Sequence, residues 1–260
     1  MGIKQTITKD KLPLKYQAYN LLETTDGVSH SVYLLDDKYV LKIVENNELE
    51  ALKNEQKLLK DLENSCVPIL LDIVECKEYI LAFYSQLLGK TQYTPNQTHI
   101  KQIALFLKEF HNKSKDLKSS NKNIYSYSTL KIRIEESLNK LLKKYFDTIN
   151  CKPKIDGIIH GDLFCDNAKF QNDTLSGVYD FIEACESDFT FELAVVSISW
   201  CFEEKRPNEY KIKTLLETYG LNIKYQDFLE YIKYALLYYA TMRYLTQRNY
   251  QELLDKLENV

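Results

Sequence analysis

The chain has 260 residues, of which 45% are hydrophobic and 27% charged, and its formal net charge is −3. This length provides for one large domain or two modest ones with a core, and the charge indicates no general nucleic-acid or membrane-surface partner. The six cysteines form no C-x-x-C pair, so we expect reduced thiols rather than a disulfide framework or a zinc site. The N-terminus has no long apolar run of a secretory signal, and no later run is long enough to span a bilayer. A cytoplasmic protein is expected.

The first part of the chain favours strands and one helix. The β-rich runs "HSVYLLDD" and "KYVLKIVE" flank Asp36 and Asp37, which predicts a tight hairpin. The leucines of "NNELEALKNEQKLLKDLEN" recur at helical spacing, and we expect a preceding Asn to cap this helix. The segments "CVPILLDIVEC" and "EYILAFYSQLL" return to strand character.

Beyond the polar stretch that ends near Thr98 the chain becomes mainly helical. The segment "HIKQIALFLKEFH" predicts one amphipathic helix. The segment "TLKIRIEESLNKLLKKYF" predicts another, with an apolar face formed by Leu130, Ile134, Leu138, Leu141 and Tyr145. Two short β-like pieces, "GIIH" and "LSGVYDF", precede "FTFELAVVSISWCF", which is apolar nearly all round and predicts a helix buried in the core. We therefore expect a small strand-rich domain, 1–88, before a larger helical domain, 89–260, with a ligand crevice between them.

The cluster "HGDLFCDN" is where the sequence first indicates chemistry. Asp162 and Asn167 are five residues apart, and Asp180 follows in "VYDF" at the end of a predicted strand. The same order occurs in the kinase pattern H-R-D-x-x-x-x-N followed by D-F-G. By that pattern Asp162 accepts the proton of a substrate hydroxyl, whereas Asn167 and Asp180 hold Mg²⁺ on the phosphates of ATP. A hard cation prefers such oxygen ligands, and it relieves the repulsion between neighbouring carboxylates.

The strand-rich part carries the candidate nucleotide-binding residues. Lys42 lies in "YVLKIVE", the strand setting in which a kinase keeps its phosphate-binding lysine. The following helix offers Glu48, Glu50 and Glu55 as ion-pair partners, and we favour Glu55 because it lies between Leu52 and Leu59 on the inward side. The remaining nucleotide-binding candidates are Gly27, Ser29 and Ser31 in the loop "ETTDGVSHS", which has no G-x-G-x-x-G, and Ser85 and Leu87 in the connection that would contact adenine.

Other residues near the cluster have structural interpretations beside the functional ones. His160 is better explained as an anchor of the loop through hydrogen bonds than as a base. Asp166 is interpreted either as a loop-stabilising carboxylate or as a substrate contact. Trp200 and the many tyrosines are interpreted as packing residues.

The segment "IIHGDLFCDNAKF…LSGVYDFIEACESDFTFELAVVSISWCFEE" resembles the aminoglycoside phosphotransferase and choline kinase superfamily, and within it the homoserine kinases of that fold. The resemblance is dense over about 158–204, recognisable at 235–248 and loose over the N-terminal part. It implies an α+β, two-lobed, protein-kinase-like fold. The N-lobe would be a small antiparallel sheet with one helix, and the C-lobe would be larger and mainly helical.

The resemblance also implies a substrate. Homoserine is a zwitterion, so it requires one cationic and one anionic contact beside its reactive hydroxyl. Arg243 and Arg248 match arginines of the homoserine kinase pattern, and an arginine can bind a carboxylate through two parallel hydrogen bonds. Asp166 and Glu183 complete the substrate-binding candidates.

The function expected from the sequence is therefore phosphorylation of a small-molecule alcohol with ATP and Mg²⁺, without a nucleic-acid or membrane partner. Homoserine is the favoured substrate, and an aminoglycoside, choline or sugar kinase is the alternative. A nucleotide-binding regulatory protein without catalysis is a different class, but it would not need Asp162. A metal-dependent hydrolase using His160, Asp162 and Asp166 would need more histidine ligands than the sequence places nearby.

Overall fold

The computed structural model describes residues 5–24, 30–63 and 66–260. The chain divides into two compact units, Met1–Leu88 and Gly89–Val260. Among the described residues, no helix is both long enough and apolar enough to cross a membrane.

The first unit is built on a five-stranded antiparallel sheet with the strand order β1-β2-β3-β5-β4. Its elements, in chain order, are β1 Leu21–Glu23, β2 Ser31–Leu35, β3 Tyr39–Val44, α1 Leu49–Asp61, β4 Leu70–Glu75 and β5 Ile80–Ser85. The predicted hairpin is confirmed, because β2 pairs with β3 and Asp36 adopts a left-handed φ of 46° in the turn between them.

The two faces of this sheet have different environments because side chains alternate along a strand. Leu41 and Ile43 of β3 and Phe83 of β5 pack on one face in a fully buried apolar cluster. Lys42 pairs with Ala82, so its side chain is directed to the opposite face together with that of Tyr84. The sheet thus separates the side chains of Lys42 and Tyr84 from this apolar cluster.

The start of α1 differs from the sequence prediction. No Asn caps the helix, because Asn46 donates from its side chain to the carbonyl of Lys77 at 3.1 Å. The carboxylate of Glu48 instead accepts the backbone N–H of Glu45 at 2.9 Å. This bond belongs to the short 3-10 turn Asn46–Glu48 that precedes the helix, and α1 itself begins without a side-chain cap.

The second unit is mainly helical. Its helices are α2 Gln97–Ser114, α3 Tyr127–Ser137, α4 Lys140–Phe146, α5 Phe189–Trp200, α6 Glu209–Tyr219, α7 Tyr225–Leu245 and α8 Gln251–Leu257. Its strands are β6 Gly157–Ile159, β7 Ala168–Gln171, β8 Thr174–Val178, β9 Cys185–Ser187, β10 Phe202–Glu203 and β11 Arg206–Pro207. The predicted core helix is confirmed, since most side chains of α5 are buried.

The helix predicted over "TLKIRIEESLNKLLKKYF" is wrong as a single element. It is broken at Leu138, which adopts a φ of 50° and is 89% exposed rather than part of an apolar face. Ser137 turns its hydroxyl back to the carbonyl of Ile134, and Asn139 caps α4 by accepting two backbone N–H groups. A side-chain cap in mid-segment ends one helix and starts the next despite the continuous apolar spacing.

Candidate active site

Two strand pairs of the second unit bring the polar residues together. The 160–167 loop connects β6 to β7, and the 179–184 segment connects β8 to β9. Because β6 pairs with β9 and β7 pairs with β8, both segments emerge between the same two ladders. The Tyr179 N–H extends the β7–β8 ladder by donating to the Asn167 carbonyl at 3.1 Å. The pairing therefore places Asn167 beside the residue that precedes Asp180.

His160 anchors the loop, as the sequence predicts. It is fully buried, and its Nε2 lies 2.9 Å from the carbonyl oxygen of Tyr179. Its Nδ1 accepts the backbone N–H of Asp162 at 3.2 Å. Both ring nitrogens are engaged with the backbone, so His160 joins the two segments instead of facing a substrate as a base.

Gly161 holds a conformation that favours glycine, with φ at 81°. A Cβ added here would overlap the hydroxyl of Tyr125. The Gly161 N–H donates to Oε1 of Glu192 at 2.8 Å, and Oε2 of Glu192 lies 2.6 Å from Nε2 of His111. The Gly161 carbonyl accepts a hydrogen bond from the Tyr239 hydroxyl. Groups from α2, α5 and α7 thus fix the peptide next to Asp162.

Asn167 and Asp162 contact each other directly. Nδ2 of Asn167 donates to the carbonyl oxygen of Asp162 at 2.7 Å and to its carboxylate Oδ2 at 3.3 Å. Asp180 adopts a φ of 71°, which is uncommon for a residue other than glycine. Backbone strain of this kind is maintained where the surrounding structure requires it, and it occurs often in active sites.

Four carboxylates converge on this part of the unit. Burial raises the pKa of Asp162 well above its ordinary value, and the charges of Glu183, Asp180 and Asp166 raise that pKa further. The hydrogen bond from Asn167 lowers it in part. A site in which negative charges oppose one another in this way is suited to cations, since a bound cation relieves the repulsion.

The donor set fits Mg²⁺. Asp180 supplies a carboxylate and Asn167 an amide oxygen, its amide nitrogen being used in the bonds to Asp162. Mg²⁺ is normally bound by one or two protein ligands together with substrate phosphates. Within 5–24, 30–63 and 66–260, no group of three or more His, Cys, Asp or Glu side chains could hold a metal ion.

The substrate candidates lie around the 160–167 loop at different depths. The pKa of Asp166 is raised by burial and by Asp180, while the Arg243 guanidinium lowers it. The Glu183 carboxylate accepts a hydrogen bond from Tyr125 at 3.3 Å. Arg248 is exposed just beyond the end of α7, and its N–H donates to the carbonyl of Arg243 at 2.8 Å. Glu183 and Asp166 thus act on the charge of Asp162, and Arg243 acts on that of Asp166.

In the first unit, Glu55 lies on the buried face of α1 between Leu52 and Leu59, as the sequence predicts. Glu55 is 1% exposed and accepts a hydrogen bond from the Tyr84 hydroxyl at 2.7 Å. Lys42 is 8% exposed and shares its sheet face with Tyr84. Of the competing acids, Glu50 pairs with Lys53 at 2.9 Å, and Glu48 pairs with His30 at 3.0 Å while the charge of Lys42 also lowers its pKa.

Among the other nucleotide-binding candidates of the first unit, two lie outside the described residues and two are serines that contact the backbone of the same unit. Gly27 and Ser29 lie outside the described residues. Ser31 is the first residue of β2, and its buried hydroxyl accepts the N–H of Gln5 at 2.8 Å. The Ser85 hydroxyl accepts the N–H of Ile69 at 2.8 Å, and Leu87 is half-buried. The hydroxyls of Ser31 and Ser85 thus support local structure.

Three contributing residues were missed from the sequence: Glu192, Tyr239 and Tyr84. A signal existed for Glu192, because it is the one ionisable side chain in the apolar helix "FTFELAVVSISW". A carboxylate at a fully buried position requires polar partners, and these are His111 and Gly161. The tyrosines gave no such signal, because the chain contains 20 of them and most contribute to packing.

Comparisons of the sequence show the family to which the chain belongs. Residues 21–219 match the phosphotransferase enzyme family. Homoserine kinase of Bartonella henselae is 27% identical over 229 residues, which cover 79% of this chain and 71% of that protein. Homoserine kinase of Agrobacterium fabrum is 28% identical over 254 residues, covering 84% and 78%. Homoserine kinase of Bartonella tribocorum is 33% identical over a shorter stretch of 171 residues, which is 53% of its length.

Solved structures show the same fold. The GDP complex of wild-type aminoglycoside 2'-phosphotransferase-IIIa superposes with a TM-score of 0.68 at 16% identity, covering 92% of this chain and 91% of that chain. A thermostable mutant of aminoglycoside phosphotransferase APH(4)-Ia, in ternary complex with ADP and hygromycin B, gives a TM-score of 0.68 at 12% identity, with coverage of 94% and 93%. The α+β, protein-kinase-like fold predicted from the sequence is confirmed.

The family match covers more than half of the chain and includes the 160–167 loop and Asp180. Phosphotransferases of this kind use ATP and Mg²⁺, which are the cofactors that the oxygen donors of Asn167 and Asp180 fit. The chain belongs to the phosphotransferase enzyme family and is a kinase with an alcohol group as acceptor.

Proposed function

We propose that this kinase transfers the terminal phosphoryl group of ATP to the hydroxyl of L-homoserine and releases O-phospho-L-homoserine. The observation that carries the proposal is the hydrogen bond that joins Asn167 to Asp162. It occurs in a chain that is similar, over 79% and 84% of its length, to two proteins named homoserine kinase.

In the second unit, Asp162 orients the substrate hydroxyl and accepts its proton. Its raised pKa supports this role, because a base is most effective when its pKa approaches the working pH. Asn167 and Asp180 hold Mg²⁺, which when bound neutralises charge on the phosphates. Since phosphoryl transfer needs little covalent help, the residues act mainly by positioning.

In the first unit, Lys42 holds the ATP phosphates and Glu55 orients Lys42. The burial of both side chains, and the shared sheet face of Lys42 and Tyr84, support this assignment. The hydrogen bond from Tyr84 to Glu55 restricts the carboxylate to one position. We assign nucleotide binding to Met1–Leu88, and catalysis and substrate binding to Gly89–Val260.

The distribution of charge around Asp162 supports an amino-acid substrate. Glu183 adds to the negative charge sensed by Asp162, which favours a substrate ammonium group at that side. Arg243 is close enough to Asp166 to lower its pKa, which places a cation at another side of the same loop. We assign the ammonium group of homoserine to Glu183 and its carboxylate to Arg243, with Asp166 and Arg248 as neighbouring polar contacts.

A coupled assay of ATP consumption tests the substrate. The acceptors are L-homoserine, an aminoglycoside, choline and methylthioribose, together with the amino alcohol that lacks the homoserine carboxylate and the hydroxy acid that lacks its amine. Homoserine is expected to give the highest kcat/KM. Fast turnover of another acceptor with homoserine inert would refute the assignment, and no turnover of any acceptor would favour the regulatory alternative.

The carboxylate contact has its own variant. Arg243→Gln is expected to raise the KM for homoserine by about 10- to 100-fold, since a hydrogen bond to a charged group contributes roughly 1.5–3 kcal/mol. It should not alter the KM for the amino alcohol without a carboxylate. Equal effects on both acceptors would show that Arg243 acts on the loop and not on the carboxylate.

A further inference from the structure

The peptide unit between Gly161 and Asp162 is held at both of its polar groups. Its N–H belongs to Asp162 and donates to Nδ1 of His160 at 3.2 Å. Its carbonyl belongs to Gly161 and accepts the hydroxyl of Tyr239. Because peptide units are planar, holding this one together with the Asp162 carbonyl, which accepts Nδ2 of Asn167 at 2.7 Å, fixes the direction in which the Asp162 Cα–Cβ bond leaves the backbone.

The two bonds come from different sources. His160 belongs to the loop itself and is held by the carbonyl of Tyr179. Tyr239 belongs to α7, a 21-residue helix that packs on α5. The Tyr239 bond is thus the one that connects this peptide to a rigid element outside the loop.

The ring of Tyr239 is itself restrained. It packs edge-on against Phe164 with ring centroids 4.8 Å apart, and edge-on against Tyr238 at 5.2 Å. Burial raises the pKa of the Tyr239 hydroxyl well above its ordinary value, and the charge of Asp162 raises it further. The hydroxyl therefore remains a protonated donor throughout the neutral pH range.

Tyr239 also lies one helical turn before Arg243, on the same face of α7. The helix that carries the candidate carboxylate contact is therefore the helix that holds the peptide of the proton acceptor. A shift of α7 that moved Arg243 would move the donor of the Gly161 carbonyl with it.

We propose that Tyr239 is a positioning residue for the phosphoryl-transfer reaction, which sets the orientation of Asp162 through the Gly161 carbonyl and couples it to α7. The role of Asp162 rests on the function proposed above, whereas the hydrogen bond from Tyr239 does not. The effect of Tyr239 is on the turnover step, because its hydroxyl faces the loop backbone.

The test compares Tyr239→Phe with Tyr238→Phe. Each variant removes one hydroxyl and keeps the ring, and Tyr238 is the neighbour of Tyr239 on α7 and packs edge-on against it. Thermal melting verifies that both variants are folded. The acceptor in the assay is whichever alcohol the wild-type chain turns over fastest. The two variants can therefore be compared even if homoserine is not the substrate.

Tyr239→Phe is expected to lower kcat by about ten-fold or more with the KM for ATP unchanged, since a misplacement of about 1 Å can cost on the order of 100-fold. Hydrogen exchange at the Asp162 amide should also become faster in this variant, in the absence of any substrate. Tyr238→Phe should leave both quantities at wild-type values. An unchanged kcat or unchanged exchange in Tyr239→Phe, or equal changes in the two variants, would overturn the proposal.

Discussion

Oε2 of Glu192 lies 2.6 Å from Nε2 of His111, and the two side chains are 0% and 2% exposed. The other carboxylate oxygen holds the N–H of Gly161, and the Tyr219 hydroxyl lies 2.8 Å from Nδ1 of His111. One buried carboxylate therefore connects α2 and α5 to the loop that carries Asp162.

Removing this carboxylate is expected to destabilise the second unit strongly. Glu192→Ala should cost about 3–5 kcal/mol in the free energy of unfolding, because it leaves buried polar partners without an acceptor. Glu192→Gln keeps an oxygen for Gly161 and should cost less than half as much. Urea unfolding followed by the fluorescence of Trp200 measures both, since Trp200 is the single tryptophan and donates to the Leu163 carbonyl in the same loop. Equal stabilities of Glu192→Ala and wild type would contradict the expectation.

The raised pKa of Asp162 predicts the acid limb of the pH profile. Asp162 must be ionised to accept a proton, so kcat/KM for ATP should fall as the pH drops through its pKa, well above the value of about 3.9 for an ordinary Asp. Glu183→Gln removes a charge that raises this pKa, so the limb should move to lower pH.

The matched control for that shift is Glu186→Gln. Glu186 is paired with Lys118 at 2.7 Å and is not among the main charges that raise the pKa of Asp162. Its variant should keep the wild-type limb. A limb that moves to higher pH in Glu183→Gln, or that moves equally in both variants, would refute the assignment of the limb to Asp162.

The hydrogen bond from Tyr84 to Glu55 predicts a link between stability and nucleotide binding in the first unit. Tyr84→Phe should destabilise this unit by about 1.5–3 kcal/mol, since the acceptor is a buried carboxylate. It should also weaken ATP binding, because Glu55 loses the contact that fixes it.

Tyr33→Phe is the comparison for this prediction. The Tyr33 hydroxyl donates to the neutral carbonyl of Gln5 at 3.0 Å, and the residue lies on the apolar face of the sheet. Its loss should cost about 1 kcal/mol and leave ATP affinity unchanged. Calorimetric titration with Mg²⁺ and ATP measures the affinity, and equal weakening in both variants would show that the Tyr84 effect is general.

The break between α3 and α4 predicts a stabilising substitution. Leu138 adopts a left-handed conformation and is 89% exposed, so it contributes little burial. Leu138→Gly should raise the free energy of unfolding by about 0.5–1 kcal/mol, the relief of strain exceeding the entropy lost by glycine. Leu138→Ala retains a Cβ and should show no gain. Thermal melting compares the two, and a stability of Leu138→Gly below that of Leu138→Ala would be contrary to this account.

The parts of the fold that local patterns determine were predicted correctly. The hairpin around Asp36, the buried face of α1 and the apolar α5 follow from alternation and helical spacing, which act within one segment. The roles of Asp162, Asn167 and Asp180 stay a prediction, which rests on the side chains and spacings that the chemistry of Mg²⁺ and proton transfer requires.

The parts that depend on long-range partners were not predicted. Leu138 fits an apolar face by spacing, but the caps at Ser137 and Asn139 end the helix there. The partners of Glu192 lie 31 and 81 residues away in the sequence, and the Gly161 carbonyl accepts a hydroxyl from 78 residues away. Periodicity within a segment carries no information about contacts of this kind.

The most direct measurement of the central claim is the turnover of Asp162→Asn beside its affinity for Mg²⁺ and ATP. Loss of the proton acceptor should lower kcat by about 100- to 10,000-fold while nucleotide binding is retained, because Asp162 serves the acceptor and not the nucleotide. A variant that keeps the wild-type kcat would contradict the account.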